Sequence, residues 1–244
     1  MPELIVMLTQ NDRTVPNAPE VFEACADSRA KLWGFKEEGL PLPEMKRLYA
    51  RMKDCGKQTA LEVVCYSEAE GLAGAKMAAA CGCDLLMGTT YSKEISRLCA
   101  DHGIRYLPFV GRITGRPSVL EGSLTEMLDQ AREALEGGAW GIDLLGYRYT
   151  GDAARLNREF VAGLPGVPVV LAGSVNSFAR LDEVRAAAPW AFTIGSAFFE
   201  GRFGGSFRDQ VNKVVTSDGC RFMGKQRIPY HPKELEEFMA ENED

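Results

Sequence analysis

Eight short apolar runs, each followed by an amphipathic helical stretch, predict an α/β protein whose strands close into a single (β/α)8 barrel. No two runs are joined by a short hairpin signal, so the sheet is expected to be all parallel. No run is polar enough to serve as an exposed edge, which favours closure over an open sheet. The length of 244 residues suits one domain of this kind.

The expected strands cover residues 4–9, 32–35, 60–66, 84–88, 104–110, 141–146, 167–172 and 191–194. The first is aliphatic and breaks at the polar run Gln10-Asn11-Asp12-Arg13; the third is apolar except for Glu62. Helical periodicity fills the gaps at 43–55, 68–80, 93–102, 124–136, 153–163, 178–188 and 207–215, with a weaker pattern at 18–26. Gly56, Gly82, Gly103, Gly138 and Gly166 each stand between a helix and the next strand, where a left-handed residue ends a helix at little cost. Trp33, Trp140 and Trp190 fall near strand starts and are expected to pack in the bottom half of the barrel or under helices. The barrel is expected to span 1–218. A tail at 219–244, with Pro229, Pro232 and an acidic end, reads as a short appended helix with a frayed terminus.

The formal charge of -6 argues against a nucleic-acid partner, which needs a basic face. It is compatible with a small anionic ligand, because a few local cations outweigh a weak global field. The one early apolar run is too short for an export signal, and no stretch reaches the ~20 apolar residues that span a bilayer. The seven cysteines are scattered, and Cys81-Gly82-Cys83 lacks the spacing of a zinc knuckle, so reduced thiols in a cytoplasmic protein are expected. Homodimers are common for such barrels.

In a (β/α)8 barrel, function sits where the strands end and the chain turns into the following helix. The seventh strand leaves the barrel through Ala172-Gly173-Ser174-Val175, the eighth through Ile194-Gly195-Ser196-Ala197-Phe198. Glycine admits a close ligand, and the amides that follow it, with a short helix after Gly195, favour an anion. This pair of motifs resembles the phosphate-binding superfamily of (β/α)8 barrels, which includes ribulose-phosphate-type epimerases, tryptophan and histidine biosynthesis isomerases, thiamine-phosphate synthases, and phosphosugar aldolases and decarboxylases. The resemblance implies a phosphate held around Gly173, Ser174, Gly195 and Ser196. The motif covers about 30 residues, and it implies a ligand class rather than a reaction.

Among charges in the strands, Glu62 is the most informative. Facing outward it would be buried against helices at a cost of several kcal/mol. Facing inward it can pair with Lys36 on the neighbouring strand and lie near Asp143 of the sixth. Alternation along that sixth strand puts Asp143, Leu145 and Tyr147 on one face. An acid–lysine–acid cluster of Lys36, Glu62 and Asp143 would shift its members' pKa values, suiting either proton abstraction beside a carbonyl or an imine on the lysine. Arg13, Arg112, Arg116 and Arg148 form a basic rim. Of these, Arg112 and Arg148 are the substrate-binding candidates, and the long 111–122 loop is a candidate lid. Gln10, Asn11 and Asp12 could add hydrogen bonds at the mouth. His102 lies on the face opposite the mouth and His231 in the tail, so histidine chemistry is not expected.

The expected function is therefore an enzyme for a small phosphorylated sugar or keto compound, a lyase of aldolase or decarboxylase type or an isomerase. No cofactor is required, and a divalent metal is possible through Glu62 and Asp143. The alternatives are an FMN-binding oxidoreductase, with the cradle holding the flavin's phosphate, and a non-catalytic phosphometabolite-binding barrel.

Overall fold

Each apolar run becomes a strand of one closed sheet. In chain order these are β1 (Glu3–Met7), β2 (Leu32–Lys36), β3 (Gln58–Val63), β4 (Leu85–Thr90), β5 (Arg105–Phe109), β6 (Ile142–Leu144), β7 (Val169–Leu171) and β8 (Ala191–Ile194). Every strand pairs in parallel with its neighbours in sequence, and β1 closes on β8, with Glu3 opposite Ala191. The computed structural model describes residues 1–216 and the backbone of Arg221–Met223 and Gln226–Ile228. Those last two segments pair as antiparallel strands rather than forming part of the expected tail helix. The rest of the 219–244 extension, His231 included, lies outside the described residues.

The connecting helices are α1 (Ala18–Glu23), α2 (Leu42–Asp54), α3 (Glu68–Cys81), α4 (Lys93–Asp101), α5 (Leu124–Glu136), α6 (Ala153–Ala162), α7 (Phe178–Ala187), α8 (Ser196–Phe199) and α9 (Phe207–Thr216). Local chemistry sets their ends. Ser123 and Glu126 form a reciprocal capping box at the start of α5. At the other end of α3, Gly82 takes φ 66°, so its amide and the next can close the last turn. His102 caps the C-terminus of α4, on the face away from the mouth as expected.

Two cores result. Between sheet and helices lie the large outward side chains, including Trp33, which meets Phe22 edge-on at 5.1 Å. Inside the barrel, Ile5, Met7, Leu32, Ala60, Leu85, Met87, Leu107, Val170 and Ala191 fill the lower layers. Beneath them Trp140 and Trp190 stand edge to face at 5.0 Å, and the Arg105 guanidinium lies 5.0 Å from one ring centre and 5.9 Å from the other. The tryptophans thus divide, two closing the floor and one packing outside the sheet. Among the described residues, no helix is long and apolar enough to cross a membrane.

Glycine at position 34 keeps the interior narrow. A Cβ there would lie 2.6 Å from the carbonyl oxygen of Ala60 and 3.1 Å from Met7 Sδ. Replacing Gly34 with Ala forces β2 and β3 apart directly below Lys36 and Glu62. The expected loss is about 1–3 kcal/mol, read as a lower urea midpoint; an unchanged midpoint would show that the sheet yields there freely.

Candidate functional site

Alternation along β2 and β3 aims Leu32, Gly34 and Lys36, then Ala60 and Glu62, into the barrel. Lys36 and Glu62 are directly paired in register, and Lys36 Nζ lies 3.7 Å from Glu62 Oε2. A second carboxylate joins them. After β1 the chain makes a tight hairpin, Thr9–Gln10 against Arg13–Thr14, whose turn residues Asn11 and Asp12 both take left-handed φ values of 50° and 65°. The Thr14 hydroxyl donates to the carbonyl oxygen of Lys36 at 2.8 Å and accepts from its amide at 3.0 Å. So clamped, the hairpin brings Asp12 Oδ1 into hydrogen-bond contact with Lys36 Nζ. Burial alone would lower the pKa of Lys36, but Glu62 and Asp12 outweigh it and the pKa rises above the ordinary lysine value.

Asp143 lies deeper, fully buried, and its oxygens have no hydrogen-bond partner among the described residues. Burial, and then the negative charge of Glu62, push its pKa well above the carboxylate range, against a smaller opposite pull from Lys36. Asp143 therefore keeps its proton to higher pH than an ordinary carboxyl, below the pair.

Above these groups a cavity of about 580 Å³ opens at the C-terminal ends of the strands. Lys36, Glu62 and Asp12 line one side; Arg148, Gly173, Ser174, Gly195 and Ser196 line another. By strand order β6 and β7 stand opposite β2 and β3. Gly173 takes φ 93°, and a Cβ on it would lie 3.0 Å from Arg148 Cγ, so the arginine stem rests on the glycine. At Gly195 a Cβ would lie 2.5 Å from Thr9 Oγ1, so β8 can leave the barrel only by passing close to the β1 hairpin. The two Gly-Ser corners therefore converge on one opening. The amides of Ser174, Asn176 and Ser196 donate to no group among the described residues. Arg180, stacked over Tyr147 at 5.1 Å, donates to the Ser174 carbonyl from outside the cavity lining and fixes that peptide.

The basic rim divides. Arg148 lines the cavity, and among the described residues its guanidinium has no ion-pair or hydrogen-bond partner. Arg112, expected to bind substrate, does not line the cavity. It stands in the strand Arg112–Thr114, which pairs with Val119–Glu121, and its guanidinium lies 3.1 Å from Glu121. At the tip of the same hairpin, Arg116 reaches across the mouth to Glu38 at 2.9 Å, Glu37 at 3.3 Å and the Val64 carbonyl at 2.7 Å. Tyr66 ties the tip further, donating to the Gly115 carbonyl at 3.0 Å and meeting Ser118 Oγ at 2.9 Å. The expected lid is thus an ordered strap. Tyr147, expected beside Asp143 at the mouth, lies elsewhere. β6 ends at Leu144, the chain turns through Gly146–Arg148, and the Tyr147 hydroxyl donates to the Arg180 carbonyl at 3.3 Å.

Sequence reasoning placed Asp12 at the mouth without pairing it to Lys36, and it missed Glu38 and Glu200 as lining residues. The signal for Asp12 was its position in an Asn-Asp turn bounded by strand-forming residues. Glu38 carries no such signal, because its role depends on the strap.

No family model matches the chain, and no curated protein matches it in sequence. Solved structures do. An N-(5'-phosphoribosyl)anthranilate isomerase from Pyrococcus furiosus superposes with a TM-score of 0.61 at 12% identity, over 88% of this chain and 97% of that one. What the two share is the closed eight-stranded parallel barrel with its flanking helices. An N-acetylmannosamine-6-phosphate 2-epimerase from Clostridium perfringens gives 0.59 at 13% identity, over 88% and 92%. A 4-hydroxy-2-oxoglutarate aldolase gives 0.57 at 15%, over 86% and 92%. At these identities the likeness is one of fold alone, shared with proteins named as an isomerase, an epimerase and an aldolase.

The pH dependence of stability follows from Asp143. Below its ordinary pKa of 3.8 both folded and unfolded chains hold the proton. As pH rises from there toward the raised folded value, the unfolded chain releases it first, so stability falls through that window and then levels. Asp143→Asn removes this term. Its melting temperature is expected to fall less than the parent's between pH 4 and neutrality, and parallel curves would show that Asp143 ionises normally.

Proposed function

We propose that this chain is an enzyme acting on a small phosphorylated sugar or keto compound through an enolate, as a lyase or isomerase. Arg148 carries the reading: a cation unpaired among the described residues, resting on Gly173 beside two Gly-Ser corners whose amides are likewise unpartnered there, and opposite a buried lysine–glutamate pair. A phosphate seated there would receive main-chain donors from the Ser174 and Ser196 corners and a forked guanidinium contact from Arg148. The cavity volume is in the range of small-metabolite sites.

With phosphate at that side, the substrate's carbonyl would extend toward β2 and β3. Glu62 would remove the proton beside the carbonyl, and the Lys36 ammonium would stabilise the negative oxygen that forms. In an isomerase the proton returns to the neighbouring carbon; in a lyase Glu62 would instead take the proton of the β-hydroxyl, the carbon–carbon bond between the α and β carbons would break to leave a second carbonyl, and the resulting enolate would be protonated. Lys36 favours this route over an imine, because an amine held between Asp12 and Glu62 keeps its proton and lacks a lone pair for attack. In this reading Asp143 stays neutral and limits the negative charge below the pair.

The chemistry is taken to need no cofactor. Turnover is expected in colourless, chelator-treated protein, and its loss on chelation would instead assign a divalent metal to Glu62 and Asp143. Two measurements test the rest. Arg148→Ala should weaken inorganic phosphate binding by about 10- to 100-fold, the worth of a charge-assisted hydrogen-bonded pair, whereas Arg112→Ala leaves it within about twofold; equal effects would remove the seat from this corner. Incubating phosphorylated ketoses in deuterated water with the protein should exchange the proton beside the carbonyl, and Glu62→Gln should slow this by roughly 100-fold or more. Borohydride labelling of Lys36 in the presence of ligand would overturn the enolate route in favour of an imine.

A further inference from the structure

The side of the cavity opposite Arg148 has its cations already engaged. Lys36 lies between Asp12 and Glu62. Arg13 is 3.7 Å from Glu38, while Arg116 is held by Glu37, Glu38 and the Val64 carbonyl. On the acceptor side there is surplus. Asp12 Oδ2 and Glu37 Oε2 are buried with no hydrogen-bond partner among the described residues, and Asp12 lines the cavity. A ligand carboxylate arriving here would have to displace a protein carboxylate from one of these cations and leave like charges crowded out of water. A hydroxyl can donate to Asp12 Oδ2 once the carboxyl, closed over by its neighbours, turns toward the cavity that Asp12 lines, and it displaces no carboxylate from a cation.

Resting on the proposed phosphate seat, we propose that this end of the cavity selects hydroxyl groups and rejects a carboxylate, so that the substrate is a sugar phosphate rather than a phosphorylated keto acid. Asp12 is the specificity-determining residue. It accepts from the substrate through Oδ2 while Oδ1 holds Lys36.

The test uses ligands that differ only at the far end: glycerol 3-phosphate against 3-phosphoglycerate, and glucitol 6-phosphate against 6-phosphogluconate, each titrated calorimetrically beside inorganic phosphate. In the parent protein the alcohols are expected to bind at least tenfold tighter than the matching acids, the worth of one buried acceptor satisfied or left bare. Asp12→Asn keeps a residue that tolerates the left-handed turn, so the hairpin is expected to persist. It should narrow the preference to about threefold or less with phosphate affinity unchanged, and Glu38→Gln should shift the ratio in the same direction by loosening Arg13 and Arg116. Glu200→Gln, which alters the lining beside α8, should leave the ratio alone. Acids binding as well as alcohols, or a preference unaltered in both Asp12→Asn and Glu38→Gln while phosphate still binds, overturns the selectivity. Failure of the parent to bind inorganic phosphate at all overturns the seat itself.

Discussion

An ammonium group enclosed by a barrel has to be neutralised inside it, and Lys36 organises the mouth of this protein by that requirement. The closed sheet sets Glu62 beside it in register. The β1 hairpin supplies Asp12, held in place by the two hydrogen bonds between Thr14 and the Lys36 backbone. Each partner is there for an electrostatic reason, since a buried charge left unpaired costs several kcal/mol. Below them, burial and then the negative charge of Glu62 hold the Asp143 carboxyl well above the usual carboxylate range.

The other side of the mouth is assembled by contact rather than charge. Gly173 and Gly195 are sites where a methyl group would collide, one with the stem of Arg148 and the other with Thr9. Their smallness lets the ends of β6, β7, β8 and β1 crowd together. A cation without a partner among the described residues is left in that crowd, in contrast to the engaged cations across the cavity. One side is therefore ready for an anion and the other for a hydrogen-bond donor.

The architecture was legible because its signals are local and repeated: aliphatic runs, helical periodicity, and glycine at the stops, as at Gly82. The Lys36–Glu62 pair was legible too, because alternation leaves a charge in an apolar strand only one tolerable direction. Reading failed where direction is set by tertiary contact. Arg112 and Arg116 are indistinguishable by composition, but the hairpin ladder turns the first toward Glu121 and its tip carries the second across to Glu37 and Glu38. Tyr147 was misplaced because alternation stops counting once β6 ends at Leu144. The link between Asp12 and Lys36 depends on a two-residue turn folding back over β2, which separation along the chain does not disclose.

The tryptophan floor has a consequence for how protons travel. Trp140, Trp190 and the aliphatic layers above them pack the lower barrel, so among the described residues the open way from Asp143 toward solvent leads upward, past Glu62 and Lys36. A ligand filling the mouth would cork that route. Whatever proton the deep acid carries at the moment of closure is then retained for as long as the ligand stays, making the barrel a one-ended vessel whose contents are set at filling.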